Sequence, residues 1–161
     1  MFYCHFTKIW VNFGMNIIDL DNQTALVIDL VALEKIAQSL TTKGIELIIT
    51  DNRTIQELNQ EYRDKDKPTD VLSFPMDTPF TEESISAIPL GSIVISADLV
   101  KEKANEFKHT VDDELSLLFI HGLLHLLGFD HETDNGEMRA REKELIETFN
   151  LPSSLIVRTS N

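Results

Sequence analysis

The sequence of 161 residues is short of cysteine, with one thiol at Cys4. A single thiol cannot form an internal disulfide bond, so packing must hold the fold and a reducing compartment is expected. We therefore expect a cytoplasmic protein. Hydrophobic residues make up 42% of the chain and charged residues 25%, which is ordinary for a globular protein. The length suits one domain with a sizeable core.

A long apolar run is also missing, because no stretch approaches the roughly 20 residues that span a bilayer. We therefore expect no membrane partner. Residues 1–14 hold five of the twelve aromatic residues. They do not resemble a signal peptide, since His5 and Lys8 interrupt the apolar stretch and no small-residue cleavage site follows. Two interpretations stay open: a non-native or disordered extension upstream of a start at Met15, or a genuine N-terminal strand.

Basic residues are few, with 14 Lys and Arg against 27 Asp and Glu and a formal net charge of −13. Such an acidic surface repels polyanions over long range and speaks against a general nucleic-acid binder. One segment still offers a local basic patch. Its cationic residues are Arg53, Arg63, Lys65 and Lys67.

Hydrophobic periodicity and turn residues predict four short strands and five helices. The helix beginning after Ser96 is expected to be capped by that residue, and Asp112 is expected to cap the next helix. Strands are predicted over 17–20, 45–50, 71–74 and 91–95, and helices over 29–40, 54–62, 97–107, 112–127 and 136–149.

This mixture predicts an α+β fold with α/β layering, in which about five helices pack a small mixed four-stranded sheet. We expect one domain over 15–155 and a C-terminal tail over 156–161. The segment 78–89 holds two prolines and two glutamates and reads as an exposed, mobile connection. In the last helix, the expected inward positions are Met138, Leu145 and Phe149.

Three of the five histidines lie within eleven residues. His121 and His125 are four positions apart on a predicted helix, so both imidazoles face the same side. Gly128 can adopt a left-handed conformation and turn the chain back, which brings His131 to the same place. Three histidines with an open fourth position are typical of catalytic zinc, whose bound water loses a proton near neutral pH. Nickel, cobalt and iron remain open alternatives.

The same spacing resembles the metzincin protease pattern, with one departure. Those proteases carry glutamate directly after the first histidine as a general base, whereas this chain has Gly122. Peptidase activity is therefore doubtful, while metal binding is unaffected.

Longer blocks around these residues resemble the YbeY endoribonuclease family. The histidine block reads HGLLHLLGFDH, and the other two blocks read YRDKDKPTDVLSFP and LGSIVIS. The blocks stand in the family order, and the resemblance covers roughly residues 15–149. One departure is visible, since Ser92 replaces the aspartate usual in the third block.

The resemblance implies a single-strand-specific, metal-dependent endoribonuclease that acts in 16S ribosomal RNA 3′-end maturation and ribosome quality control. His121, His125 and His131 then correspond to the zinc ligands, and Arg63 to the functional arginine. From the residues alone, Arg63 reads as a solvated surface charge. Expected partners are single-stranded ribosomal RNA and the ribosome or its proteins. Ser92 cannot supply the carboxylate of the usual aspartate, so the role of that group is in doubt for this chain.

Two other functions remain as alternatives: a zinc metallopeptidase-like hydrolase, and a non-catalytic ribosome-associated module with structural zinc. Five further residues have structural or functional interpretations. Asp130 either orients an imidazole or is an exposed loop carboxylate, and His109 is expected at the surface. Residues that either shape the cleft or cap turns are Thr69, Asp70 and Ser73.

Overall fold

The computed structural model of the chain describes residues 16–76 and 88–152. This part forms four strands and five helices, which confirms the predicted α+β fold. The strands are β1 Ile18–Asn22, β2 Ile45–Thr50, β3 Val71–Pro75 and β4 Gly91–Ser96. The helices are α1 Leu30–Leu40, α2 Asn52–Arg63, α3 Ala97–Phe107, α4 Val111–Leu126 and α5 Glu137–Thr148.

The sheet is mixed, with the strand order β1-β2-β4-β3. The first three strands in this order run parallel, and β3 pairs antiparallel with β4 at one end of the sheet. Five of the six residues in each of the central strands β2 and β4 are buried, because helices cover both faces. The position of β3 at an edge matters for the site described below.

Alternate side chains of the strands divide the core into two clusters. The smaller cluster joins Ile55 of α2 to Ile48, Leu72 and Val94 on one face of the sheet. The larger cluster occupies the other face and includes residues of α1, α3, α4 and α5. Helix α4 lies at its centre, and eleven of its sixteen residues are buried. Met138 and Leu145 of α5 are buried in this cluster and Phe149 packs against it, as predicted.

Side-chain caps fix where the helices begin. Asp29, Asp51 and Ser96 each accept a hydrogen bond from a backbone N–H of the first turn. The prediction that Asp112 caps α4 is wrong. Thr110 is the cap and accepts from the N–H of Asp113, while Asp112 lies in the acidic first turn.

The prediction that His109 lies at the surface is also wrong. Its side chain is 6% exposed, and its Nε2 lies 2.6 Å from Oε2 of the fully buried Glu114. Its ring also stacks on Phe107, with centroids 6.2 Å apart. Glu114 lies in the first turn of α4. Neither the polarity of His109 nor its position in the sequence reveals this buried contact.

Several predictions about chain segments concern residues outside the described part. They are the extension over 1–14, most of the connection over 78–89 and the tail over 156–161. Among the described helices, none combines the length and apolar character needed to cross a membrane.

Candidate metal centre

His121 and His125 lie on consecutive turns of α4, on the side that opens to solvent. The two rings share one face, as the spacing of four residues predicts, and their Nε2 atoms are 3.2 Å apart. The rest of this part of the helix is apolar and buried. The two imidazoles are therefore polar groups at the edge of a rigid core helix.

The chain turns back after α4 through a Schellman motif at Gly128, which has φ +96°. The N–H of Gly128 donates to the carbonyl of His125, and that of Phe129 donates to the carbonyl of Leu124. A Cβ at Gly128 would meet nothing within 4 Å, so the backbone angle and not space requires glycine. The turn brings His131 to the other two histidines, as predicted.

The three imidazoles converge in one cluster. One ring nitrogen from each lies within 4.8 Å of the others, and the ring centroids are 4.8 to 5.2 Å apart. His121 and His125 are partly buried, and His131 is exposed. Three nitrogen donors facing one point are able to hold a metal ion.

Hydrogen bonds at the far sides of the rings fix the tautomers. Nδ1 of His125 lies 3.0 Å from the carbonyl oxygen of Phe129, which can only accept, so Nδ1 carries the proton. Nδ1 of His121 lies 2.6 Å from Oε1 of Glu142, where it donates to the carboxylate. Two Nε2 lone pairs therefore face each other when both rings are neutral. A cation between them removes this repulsion.

Burial lowers the pKa of His125 from its ordinary value, and the neighbouring His121 and His131 lower it further. Both effects disfavour the imidazolium form. The neutral ring is the form that binds a metal, so the surroundings of His125 prepare it as a ligand.

Glu142 is a candidate functional residue that sequence reasoning missed. It lies on α5 with its side chain 2% exposed, and it joins this helix to His121. A carboxylate behind a ligating histidine orients the ring and raises its basicity. The available signal was its position within the predicted inward stripe of α5, between Met138 and Leu145.

Asp130 does not contact an imidazole through any hydrogen bond within the described residues. Its carboxylate accepts from the N–H of Glu132 and the hydroxyl of Thr133, and these bonds close the loop. The backbone hydrogen bond from Glu132 is the main cause that lowers the pKa of Asp130. The hydrogen bonds of Asp130 fit the loop-carboxylate alternative, although the residue is half-buried and not exposed.

A cleft of about 1080 Å³ opens in front of the histidines. It runs from the end of α2 along the edge strand β3 to the loop after α4. The residues predicted either to shape a cleft or to cap turns all line it. They are Thr69, Asp70 and Ser73.

Arg63 and Lys65 also line this cleft, and both are exposed. Arg63 is the last residue of α2, which ends because Asp64 adopts a left-handed conformation with φ 56°. Within the described part of the chain, the guanidinium of Arg63 has no hydrogen-bonding or ion-pair partner. It is therefore available to an anionic ligand. Arg53 does not line this cleft and pairs with Glu57.

Ser92 lies on the sheet, where its hydroxyl donates to Oε2 of Glu46 at 2.9 Å. The two residues are paired in register on β4 and β2. A carboxylate is thus present beside Ser92, supplied by the neighbouring strand.

Comparison with known proteins identifies a family and several relatives. A family model described as Endoribonuclease YbeY matches residues 12–150. The protein of that name from Sulfurovum sp. (strain NBC37-1) is 72% identical over 142 residues, which cover 88% of this chain and 97% of the relative. The Aliarcobacter butzleri (strain RM4018) protein of the same name is 66% identical over 143 residues, which cover 89% and 99%. A solution structure of a Thermotoga maritima protein is 36% identical, covering 73% of this chain and 76% of that one, with a TM-score of 0.49.

Proposed function

Because this chain belongs to the YbeY endoribonuclease family, we propose that it is a zinc-dependent endoribonuclease that cuts single-stranded RNA. We further propose that it works in the cytoplasm on the ribosome, in 16S ribosomal RNA 3′-end maturation and ribosome quality control. The observation that carries the proposal is the convergence of three imidazoles in an open cleft that also holds Arg63.

The histidine cluster fits zinc in donor type, and its pair on α4 also fits zinc in spacing. Two nitrogen ligands of a tetrahedral zinc ion, each about 2.0–2.1 Å from the metal, lie roughly 3.3–3.4 Å apart. The Nε2 atoms of His121 and His125 are 3.2 Å apart. His121, His125 and His131 would hold the ion, with Glu142 behind the first. When bound, zinc supplies a Lewis acid for a phosphate oxygen and a water molecule of lowered pKa.

Arg63 is proposed to bind the scissile phosphate. Its planar guanidinium can donate two parallel hydrogen bonds to phosphate oxygens, which an ammonium group cannot match. These bonds orient the phosphate towards the histidines and stabilise the negative charge that grows on it during hydrolysis. Lys65, on the same cleft, is placed to bind a flanking phosphate.

The packing of Gly122 argues against the peptidase alternative. A Cβ at this position would lie 2.9 Å from Cγ2 of Ile93 and 3.2 Å from both Oγ of Ser73 and Cγ2 of Val71. The position thus faces strands β3 and β4. The glutamate of the metzincin pattern would have to displace these side chains to fit here.

The structural-zinc alternative is disfavoured by the site's position. A structural zinc site is closed by four protein ligands, whereas this cluster opens on a cleft lined by a cation without a protein partner among the described residues. An open site is the arrangement that substrate chemistry requires.

The proposal is tested by Arg63→Lys beside its matched control Arg53→Lys. Purified proteins are analysed for metal and incubated with single-stranded and duplex RNA. We expect about one zinc ion per wild-type chain and cleavage of the single strand. Arg63→Lys keeps the zinc but loses activity about a hundredfold, the scale expected for one donor to the transition state. Arg53→Lys behaves as wild type.

Two results would overturn these assignments. Wild-type turnover by Arg63→Lys would remove its role in phosphate binding. Intact RNA with zinc-loaded wild type, together with cleavage of a peptide library, would replace the nuclease proposal by the peptidase.

A further inference from the structure

Tyr62 is an aromatic side chain that is exposed to solvent in the cleft. It is 48% exposed, one of four large hydrophobic residues exposed in the described part of the chain. It directly precedes Arg63 at the end of α2, and both residues line the cleft in front of the histidines. An exposed aromatic ring beside a cation in a cleft offers a stacking surface to a ligand.

The ring of Tyr62 is held by a second aromatic residue. Phe74 of β3 meets it edge to face, with centroids 5.1 Å apart and an angle of 67° between the planes. Phe74 itself packs on the smaller core cluster and also lines the cleft. Tyr62 is therefore anchored along one side and open along the other.

The surroundings of this ring suit a nucleotide. A base stacks on an aromatic face whatever its identity, while a neighbouring cation binds the phosphate of the same strand. Arg63 supplies that cation one residue along the chain, and the metal cluster lies in the same cleft. Stacking on a side chain requires a base that is not paired and stacked within a duplex.

We propose that Tyr62 is a stacking platform for an unpaired RNA base, and that this contact contributes to the preference for single strands. The inference rests on the proposed nuclease function and adds a specificity-determining residue to it. The competing explanation is a packing role, in which Tyr62 only secures the end of α2 against Phe74.

The experiment measures coupling between the ring and a base. Zinc-loaded wild type, Tyr62→Phe, Tyr62→Ala and Val27→Ala bind fluorescent 2′-O-methyl oligoribonucleotides, followed by anisotropy. The oligonucleotides are either complete or abasic at one position, which is moved along the strand, and gels verify that they stay intact. Val27 is the control because it is an exposed apolar residue that does not line the cleft. Cleavage of the corresponding unmodified RNA is measured in parallel.

We expect one abasic position to weaken wild-type binding about tenfold, the size of one base–aromatic stack. The same abasic position should weaken RNA binding by Tyr62→Ala less than about twofold. Tyr62→Phe and Val27→Ala should show the same abasic penalty as wild type. An equal abasic penalty in wild type and Tyr62→Ala would overturn the stacking role and leave the nuclease proposal standing. Coupling without cleavage would support stacking and overturn the nuclease proposal. Absence of RNA binding by wild type would overturn both.

Discussion

Two histidine–carboxylate pairs, each with one member on α4, show the same local chemistry in different surroundings. His109 lies beside Glu114 and His121 beside Glu142, each with a nitrogen–oxygen distance of 2.6 Å. The ring of His109 is stacked on Phe107 inside the fold. The second nitrogen of His121 instead faces another imidazole at an open cleft.

The contrast teaches what makes a histidine a candidate ligand in this fold. A buried carboxylate partner is common to both pairs, so it does not distinguish them. What distinguishes His121 is convergence, because His125 and His131 bring their nitrogens to the same point. We therefore expect changes in the two pairs to separate metal binding from stability.

The largest difference is expected between His121→Ala and His109→Gln. Loss of one of three ligands should reduce zinc from about one ion per chain to near zero, with RNA cleavage falling to background. His109→Gln should keep the zinc and lower the free energy of unfolding by about 1–3 kcal/mol, since Glu114 remains buried with a poorer donor. Elemental analysis and urea unfolding measure the two effects.

Circular dichroism of His121→Ala serves as the control for folding. The distinction between the pairs fails if folded His121→Ala holds as much zinc as wild type. It also fails if His109→Gln is folded and free of metal.

Substitution of the two carboxylates should likewise separate zinc binding from stability, with a smaller effect on zinc binding. Glu142→Gln removes the charge behind His121 and should weaken zinc binding between about 10- and 100-fold, as other changes behind metal ligands do. Glu114→Gln should leave zinc affinity unchanged and affect only stability. Competition with a chromophoric chelator measures the affinities. Equal zinc affinity in the two variants would show that Glu142 packs α5 onto α4 without acting on the metal.

Local patterns in the sequence predicted the parts of the site that local geometry determines. The spacing of His121 and His125 fixes their common face on a helix, and Gly128 supplies the left-handed turn that returns His131. Arg63 was different, because an arginine at a helix end looks like any surface cation. Only its place in a family block indicated a role.

The errors concern contacts between elements distant in sequence or choices between neighbouring polar residues. Glu142 reaches His121 across 21 positions, and the helical periodicity that turns Glu142 inward does not identify its partner. His109 was expected at the surface because polarity describes the residue and not the burial of Glu114 beneath it. At the start of α4, both Thr110 and Asp112 are suitable caps, and the direction of the entering chain decides between them.

The smallest expected difference is in how the stability of the metal-free protein depends on pH. Since the pKa of His125 is lowered in the fold, the unfolded chain binds more protons as pH falls below the ordinary value of 6.5. His125 should thus have no effect on stability above that pH and should destabilise the fold progressively below it, down to its folded pKa. Urea unfolding of chelator-treated wild type and His125→Gln at pH 7.5 and 5.5 checks this, and we expect a smaller loss of stability at low pH in the variant.

The matched variant His109→Gln tests whether the cleft histidine is the source of this pH dependence. If it reduces the pH dependence as much as His125→Gln does, the effect belongs to buried histidines in general and not to the converging cluster.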